Sequence, residues 1–216
     1  YIRMMMCELS RIASHLLAIG ALAMDVGALT VFLWTLRERE KILDLYDVIC
    51  GARFTTSYTR IGGVAQDVTS NVLAETKAFI DQLEEKVDEV ERLLNGNRIF
   101  LERLEGVGVI SGKDALDVGL TGPPLRGSGI AHDLRRAAPY LYYNEMDFNV
   151  ITYPEGDCLA RYFVRADEIR ESMKIIYQVI DKMPSGDTML NAPKKVLPKK
   201  TEIYSRMEEL IHDFMI

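Results

Sequence analysis

The segment from Ile12 to Trp34, IASHLLAIGALAMDVGALTVFLW, constrains this chain more than any other. Its length falls within the roughly 17–25 apolar residues that cross a bilayer. Yet it carries His15 and Asp25, and also Gly20 and Gly27, which each weaken a helix interior by about 1 kcal/mol relative to alanine. No second apolar span follows, and the charged REREKILD comes next without the flanking asymmetry of a membrane helix. The segment therefore reads as a buried helix pair in a soluble, helix-rich protein. This reading places an acid, Asp25, in the most apolar part of the chain. A buried ionised carboxylate is costly unless it is paired or neutralised.

The chain has 216 residues, 48% of them hydrophobic and 27% charged, enough for one sizeable core. A net charge of −6 argues against nucleic acid as a partner, since phosphate binding calls for a basic face. Cys7, Cys50 and Cys158 are odd in number and far apart, so they form neither a CxxC pair nor a disulfide framework, and a reducing compartment is expected. The opening YIRMMMCELSRI already has helical spacing and the closing ELIHDFMI has no stop signal. A fragment of a longer subunit is expected.

The pattern predicts a first helix over about 2–24, a break or bend at Asp25–Gly27, and a second helix ending at Gly51. Leu36, Leu43 and Tyr46 share one side of that helix, and Arg37–Glu40 and Glu38–Lys41 are spaced as charge pairs. A loop with a tight turn at Gly62–Gly63 comes next. Phe79, Leu83, Val87, Val90 and Leu94 make the core stripe of a helix over about 71–94. The glycine-rich segment 106–153 reads as irregular, with short strands at GVGVI and DFNVITY. A helix over about 158–183 presents Tyr162, Ile169, Met173, Ile176 and Ile180 on one face, then a basic, proline-bearing loop leads to a last helix from Thr201. The fold class expected is mainly α: a bundle of long helices with a small irregular or β insertion, in one domain over 1–216.

Phosphate-loop, nucleophile-elbow and HExxH signatures are absent, and no cysteine cluster is spaced to hold zinc or an iron–sulphur centre. No metal site is expected. His15 and Asp25 remain. On one continuous helix they lie about 15 Å apart along the axis and about 80° apart around it, too far to bond each other. A backbone carbonyl would satisfy His15, and Asp25 would serve as the N-terminal cap of the second helix. The residues alone leave a structural and a functional role for Asp25 both open.

Several motifs follow one another in a familiar order: CELSRIASHLLAIGALAMDVGALT, REREKILDLYDVICGARF, YTRIGGVAQD, NRIFLERLEGVGVI, GLTGPPLRGSGIAHDLRRAAPY and EGDCLARYFVRADEIRESMKII. Together they resemble the quinone-proximal subunit of respiratory complex I, the proton-translocating NADH:quinone oxidoreductase. The resemblance spans essentially the whole chain. It implies a fold like the large subunit of nickel–iron hydrogenases, whose metal sits on two CxxC pairs that Cys7, Cys50 and Cys158 do not supply.

The resemblance further implies that quinone is the substrate, with NAD and iron–sulphur clusters held by partner subunits and none of them bound by this chain alone. It makes Asp25 a group in proton delivery and His15 a weaker candidate in the same path, with Asp25, Leu17 and Ala21 beside the quinone. It implies structural roles for Arg126 and Asp133, and places Arg53 and Arg60 near the cluster-bearing subunit. Expected partners are that subunit, other peripheral-arm subunits and membrane-arm subunits. The expected location is the face of a bacterial inner membrane, cytoplasmic side, or the matrix side of an organellar one. Many relatives read GARxH where this chain reads GARFT, so Thr55 replaces a histidine that titrates near neutral pH. The competing expectation is a scaffold subunit of a related hydrogenase-like complex that never touches quinone.

Overall fold

The computed structural model describes residues 1–192 and 195–215; Pro193, Lys194 and Ile216, in the expected basic loop and at the end of the last helix, lie outside them. Four long helices build the frame. α1 (Ile2–Asp25) packs against α2 (Leu29–Cys50) and α8 (Cys158–Asp181), and α3 (Ser70–Asn95) packs against the same two. Between α3 and α8 run the short helices α4 (Arg98–Leu104), α5 (Gly112–Asp117), α6 (Gly122–Arg126) and α7 (Leu134–Ala137), then a single 3₁₀ turn (Tyr143–Glu145). α9 (Lys200–Ile203) and α10 (Met207–Met215) pack on each other at the C-terminal end.

Five of the helix starts have a capping side chain. Thr69, Asn97, Ser111, Asp133 and Asp157 cap α3, α4, α5, α7 and α8, each accepting a backbone N–H of the first turn. The predicted stripe of α3 is buried throughout, and full burial of such side chains contributes about 1.5–3 kcal/mol each. Across the α3–α8 seam, Arg170 pairs with Asp88 and Glu91, and the Tyr177 hydroxyl donates to Asp81. On α2, Lys41 pairs with Glu38 as expected, but Arg37 bonds its neighbour Glu38 while Glu40 is taken by Arg53.

Two expectations about strands fail. GVGVI and DFNVITY form none. Gly106 and Gly108 sit at φ of +68° and +63°, outside the extended region, and Arg161 takes the carbonyls of Gly108 and Gly156. Their backbone groups are satisfied by side chains and by isolated backbone bonds, such as Ile110 N–H to the Gly156 carbonyl and Cys158 N–H to the Val107 carbonyl, instead of a ladder. The strands that do form lie in the expected loop. β1 (Thr59–Arg60) and β2 (Gly63–Val64) pair antiparallel, and Gly63 faces Met189 in a bridge where Leu190 N–H donates to the Gly62 carbonyl and Val64 N–H to the Thr188 carbonyl. A Cβ on Gly63 would come within 2.0 Å of the Thr188 carbonyl oxygen, so this junction admits only glycine.

Candidate functional site

The α1–α2 hairpin turns at Val26–Ala28. Gly27 adopts φ of +101°, and the N–H groups of Val26, Gly27 and Ala28 bond back to the carbonyls of Leu22, Met24 and Ala23. This is a glycine stop at the C-terminus of a helix. Asp25 is therefore the last residue of α1. The expectation that it caps α2 is overturned, because Ala28 holds that place with no side-chain bond. Arg103, on the last turn of α4, donates to the Val26 carbonyl at 2.9 Å and ties the turn to the body of the fold.

Asp25 is exposed in this chain, which corrects the expectation of a buried acid. Its spacing explains why. Leu17, Ala21 and Asp25 recur every four residues, so they form one row along α1. Met4, Leu9, Ile12, Leu16, Ile19 and Ala23 occupy the other side and are buried. Leu17 is 39% exposed and Ala21 is half-buried. Around the turn, Met24, Leu29 and Leu33 are 41%, 56% and 57% exposed, so the carboxylate stands on an open apolar surface. A cavity of about 450 Å³ lies elsewhere, between Tyr1, Arg3, Asp67 and the 183–191 loop, and none of the three row residues borders it.

The acids that are buried are Glu8, Glu38, Asp133, Asp157 and Glu168. Two of them organise the interior behind the row. Glu168 on α8 lies 2.8 Å from Nε2 of His15 and accepts a second bond from Arg126, whose other nitrogen reaches the His132 carbonyl at 2.9 Å. Seven residues before His15, Glu8 is fully buried; it accepts from the Tyr143 hydroxyl at 2.6 Å and from Arg135 at 3.0 Å. Arg135 also pairs with Asp133 at 2.7 Å. These two clusters fasten the irregular segment 122–143 onto α1 and α8.

Burial lowers the pKa of His15, more than the opposing bond to Glu168 raises it. Burial works to raise that of Glu168, but the bonds from His15 and Arg126 hold it below the usual carboxylate range. Asp133 is likewise held low against its burial by Arg135. Tyr143 is pushed upward by burial and by the Glu8 charge, so it stays a donor. The neutral imidazole donates Nε2–H to an ionised Glu168, and the arginines balance the acids. One-sided removal from such a network leaves a buried charge unpaired.

The structure thus gathers Leu17, Ala21 and Asp25 in one row and turns His15 away from them, into the interior. Its ring is satisfied by a carboxylate rather than by a backbone carbonyl. Arg126 and Asp133 stand in the interior clusters. Arg53 pairs with Asp44 and Glu40 on the surface, Thr55 is exposed in the loop after α2, and Arg60 is exposed on β1. Glu8 and Glu168 were missed by sequence reasoning. Glu8 carried a signal: it sits inside MMMCELSRI, seven residues from His15 and so on the same helix face. Glu168, within RADEIRES, reads as one surface charge among many. Among the described residues, no three His, Cys, Asp or Glu side chains converge in a metal-holding group.

Residues 25–216 match the model of a family described as respiratory-chain NADH dehydrogenase, 49 kDa subunit. All of the chain aligns, at 53% identity, with a D subunit of the NADH-quinone oxidoreductase of Chloroherpeton thalassium, covering 49% of that protein. It is 48% identical to the corresponding D subunit of Salinibacter ruber, covering 48% of that protein, and 49% identical to that of Methylacidiphilum infernorum, covering 51%. The chain spans about half the length of the curated relatives it matches.

Proposed function

Because the chain belongs to the 49 kDa subunit family of respiratory-chain NADH dehydrogenases, we propose that it helps form the quinone-reduction site of an NADH:quinone oxidoreductase. The observation that carries this reading is the Leu17–Ala21–Asp25 row, a carboxylate on an open apolar surface of α1. Reduction of a quinone takes up two electrons and two protons. The electrons come from an iron–sulphur cluster of a partner subunit, and no step is assigned to a metal on this chain.

The residues divide the work by chemistry. Leu17 and Ala21 offer an apolar rail for the quinone ring, together with Met24 and Leu33 around the hairpin turn. Asp25 delivers a proton to a quinone oxygen as negative charge develops there. Cover from partner subunits excludes water from this surface, and a covered carboxylate favours holding its proton until the reduced quinone takes it. In this reading the dryness that the site needs arises on assembly. The complex places the chain at a membrane face, with cluster-bearing, peripheral-arm and membrane-arm subunits as partners.

The exposure of Asp25 favours one second reading, that the chain is a scaffold whose apolar turn only docks a neighbouring subunit. Asp25→Asn in the assembled enzyme separates the two. Loss of most quinone turnover per assembled complex, with NADH oxidation by an artificial acceptor upstream of quinone retained, supports the site. Full quinone turnover leaves the scaffold reading alone.

A further inference from the structure

We infer that Glu168 and His15 are positioning residues for the quinone site, acting through α1; this rests on the reading of the Leu17–Ala21–Asp25 row given above. α1 is the element that carries the row, and three contacts fix it. Gly20 sets its approach to α2, where an added Cβ would meet Thr35 Oγ1 at 2.1 Å and the Phe32 Cα at 3.2 Å. Glu8 holds its first half through Arg135 and Tyr143. His15 holds its second half, two residues before Leu17 opens the row.

The His15 contact is directional, whereas the apolar contacts around it are not. The neighbouring side chains Ile12, Leu16 and Ile19 would tolerate a small rotation of α1, because apolar packing does not demand one bond angle. A 2.8 Å bond between an imidazole N–H and a carboxylate does demand one. Glu168 cannot follow a rotating helix, since its other oxygen is held by Arg126 and its backbone lies within α8. The side chains of His15 and Glu168 are 8% and 2% exposed, so water cannot replace either partner. A rotation of about 20° would carry the Asp25 carboxylate about 2 Å around the helix axis, taking its atoms as about 5–6 Å from that axis. A misplacement of about 1 Å can cost on the order of 100-fold in rate.

This geometry also decides how His15 serves the site. Its Nε2 is committed to Glu168, and it lies on the interior side of α1. The charged groups facing it are Glu168 and Arg165 from α8, Arg11 from α1 and, through Glu168, Arg126 from α6. Arg126 and Arg165 lie beside Glu168, Arg11 is paired with Glu8, and burial disfavours the charged imidazole, so the site holds a neutral ring. His15 thus works as a hook for α1 and carries no proton to quinone.

The test uses the assembled enzyme, with quinone kinetics expressed per complex, and four variants: His15→Ala, His15→Gln, Glu168→Gln and Asp25→Asn. Glutamine keeps an N–H near the Nε2 position but cannot titrate. His15→Ala and Glu168→Gln are expected to lower quinone kcat at least tenfold per assembled complex, with upstream NADH oxidation retained. His15→Gln is expected to recover at least half of what His15→Ala loses, with the acid limb of the pH profile unmoved. If His15→Gln is as impaired as His15→Ala, or if it shifts that limb, His15 carries a proton and the inference is overturned. If the variants reduce only the amount of complex, with wild-type kinetics in what assembles, the contacts are merely structural and the inference is likewise overturned. Asp25→Asn separates the two failures. Full quinone turnover in that variant removes the site itself, whereas its loss beside wild-type kinetics in the other three removes only the positioning role.

Discussion

Gly20→Ala is the sharpest probe of how the hairpin is assembled. On propensity alone the change stabilises a helix interior by about 1 kcal/mol. The structure predicts the opposite sign. An alanine Cβ would lie 2.1 Å from Thr35 Oγ1, with the Phe32 backbone at 3.2 Å and its ring at 3.3 Å. Thr35 is 1% exposed and its hydroxyl donates to the Phe32 carbonyl at 2.9 Å. Relief requires swinging that hydroxyl away, at a cost of about 1 kcal/mol for the lost bond. The helices must also part by a few tenths of an ångström, and overpacking of this kind costs about 1–3 kcal/mol. The balance is a destabilisation of about 1–3 kcal/mol. Thr35→Ala removes the obstructing oxygen, so the double variant is expected to regain most of the loss. Urea unfolding of the four species, with the midpoint and slope of each, measures the coupling. A Gly20→Ala chain as stable as the parent, or a double variant no better than the single, refutes this account of the α1–α2 approach.

The remaining predictions concern pH and the loop after α2. The pKa of His15 is lower in the folded state than its ordinary value of about 6.5, so the unfolded chain binds its proton first and stability falls as pH drops below about 6.5. Glu168 and Asp133 are also held low, so their contributions are present above about pH 4 and are lost below it. Urea midpoints across about pH 3–8 are expected to decline throughout the acid range, with the decline between about pH 6.5 and 5 flattened in His15→Gln; a midpoint that rises on acidification contradicts both assignments. In the proposed assembly, where the loop after α2 meets the cluster-bearing subunit, Thr55 offers that cluster no titrating side chain, so the cluster's reduction potential is expected to vary by well under the about 59 mV per pH unit of a one-proton, one-electron couple. Thr55→His is expected to steepen the slope; a steep slope with Thr55 in place counts against the reading of this loop.

The long helices were legible because each carries a full period of apolar residues and a physical stop. Phe79 to Leu94 on α3 and Gly51 after α2 are examples, and all five stripe residues are buried. The strands at GVGVI and DFNVITY were misjudged because the first apolar run lies among glycines whose φ is positive, and composition does not disclose that. Asp25 was placed in the interior because an apolar neighbourhood in sequence was taken for one in space. The period of four that joins it to Leu17 and Ala21 puts all three on the outer flank of α1. Arg126 and Asp133, given structural roles by the resemblance, are buried in the interior clusters, but Glu168 was illegible. Its partner His15 lies 153 residues away, and only the packing of α8 on α1 brings them together.

The proposed site requires quinone to meet the outer flank of α1. Illuminating the assembled enzyme with a photoreactive quinone analogue, then mapping the labelled peptides, reads that contact directly. Labelling is predicted within residues 17–33, competed away by the natural quinone and lost when a tight site inhibitor is bound. Competable labelling of this chain that spares 17–33 and falls elsewhere on it would contradict the account.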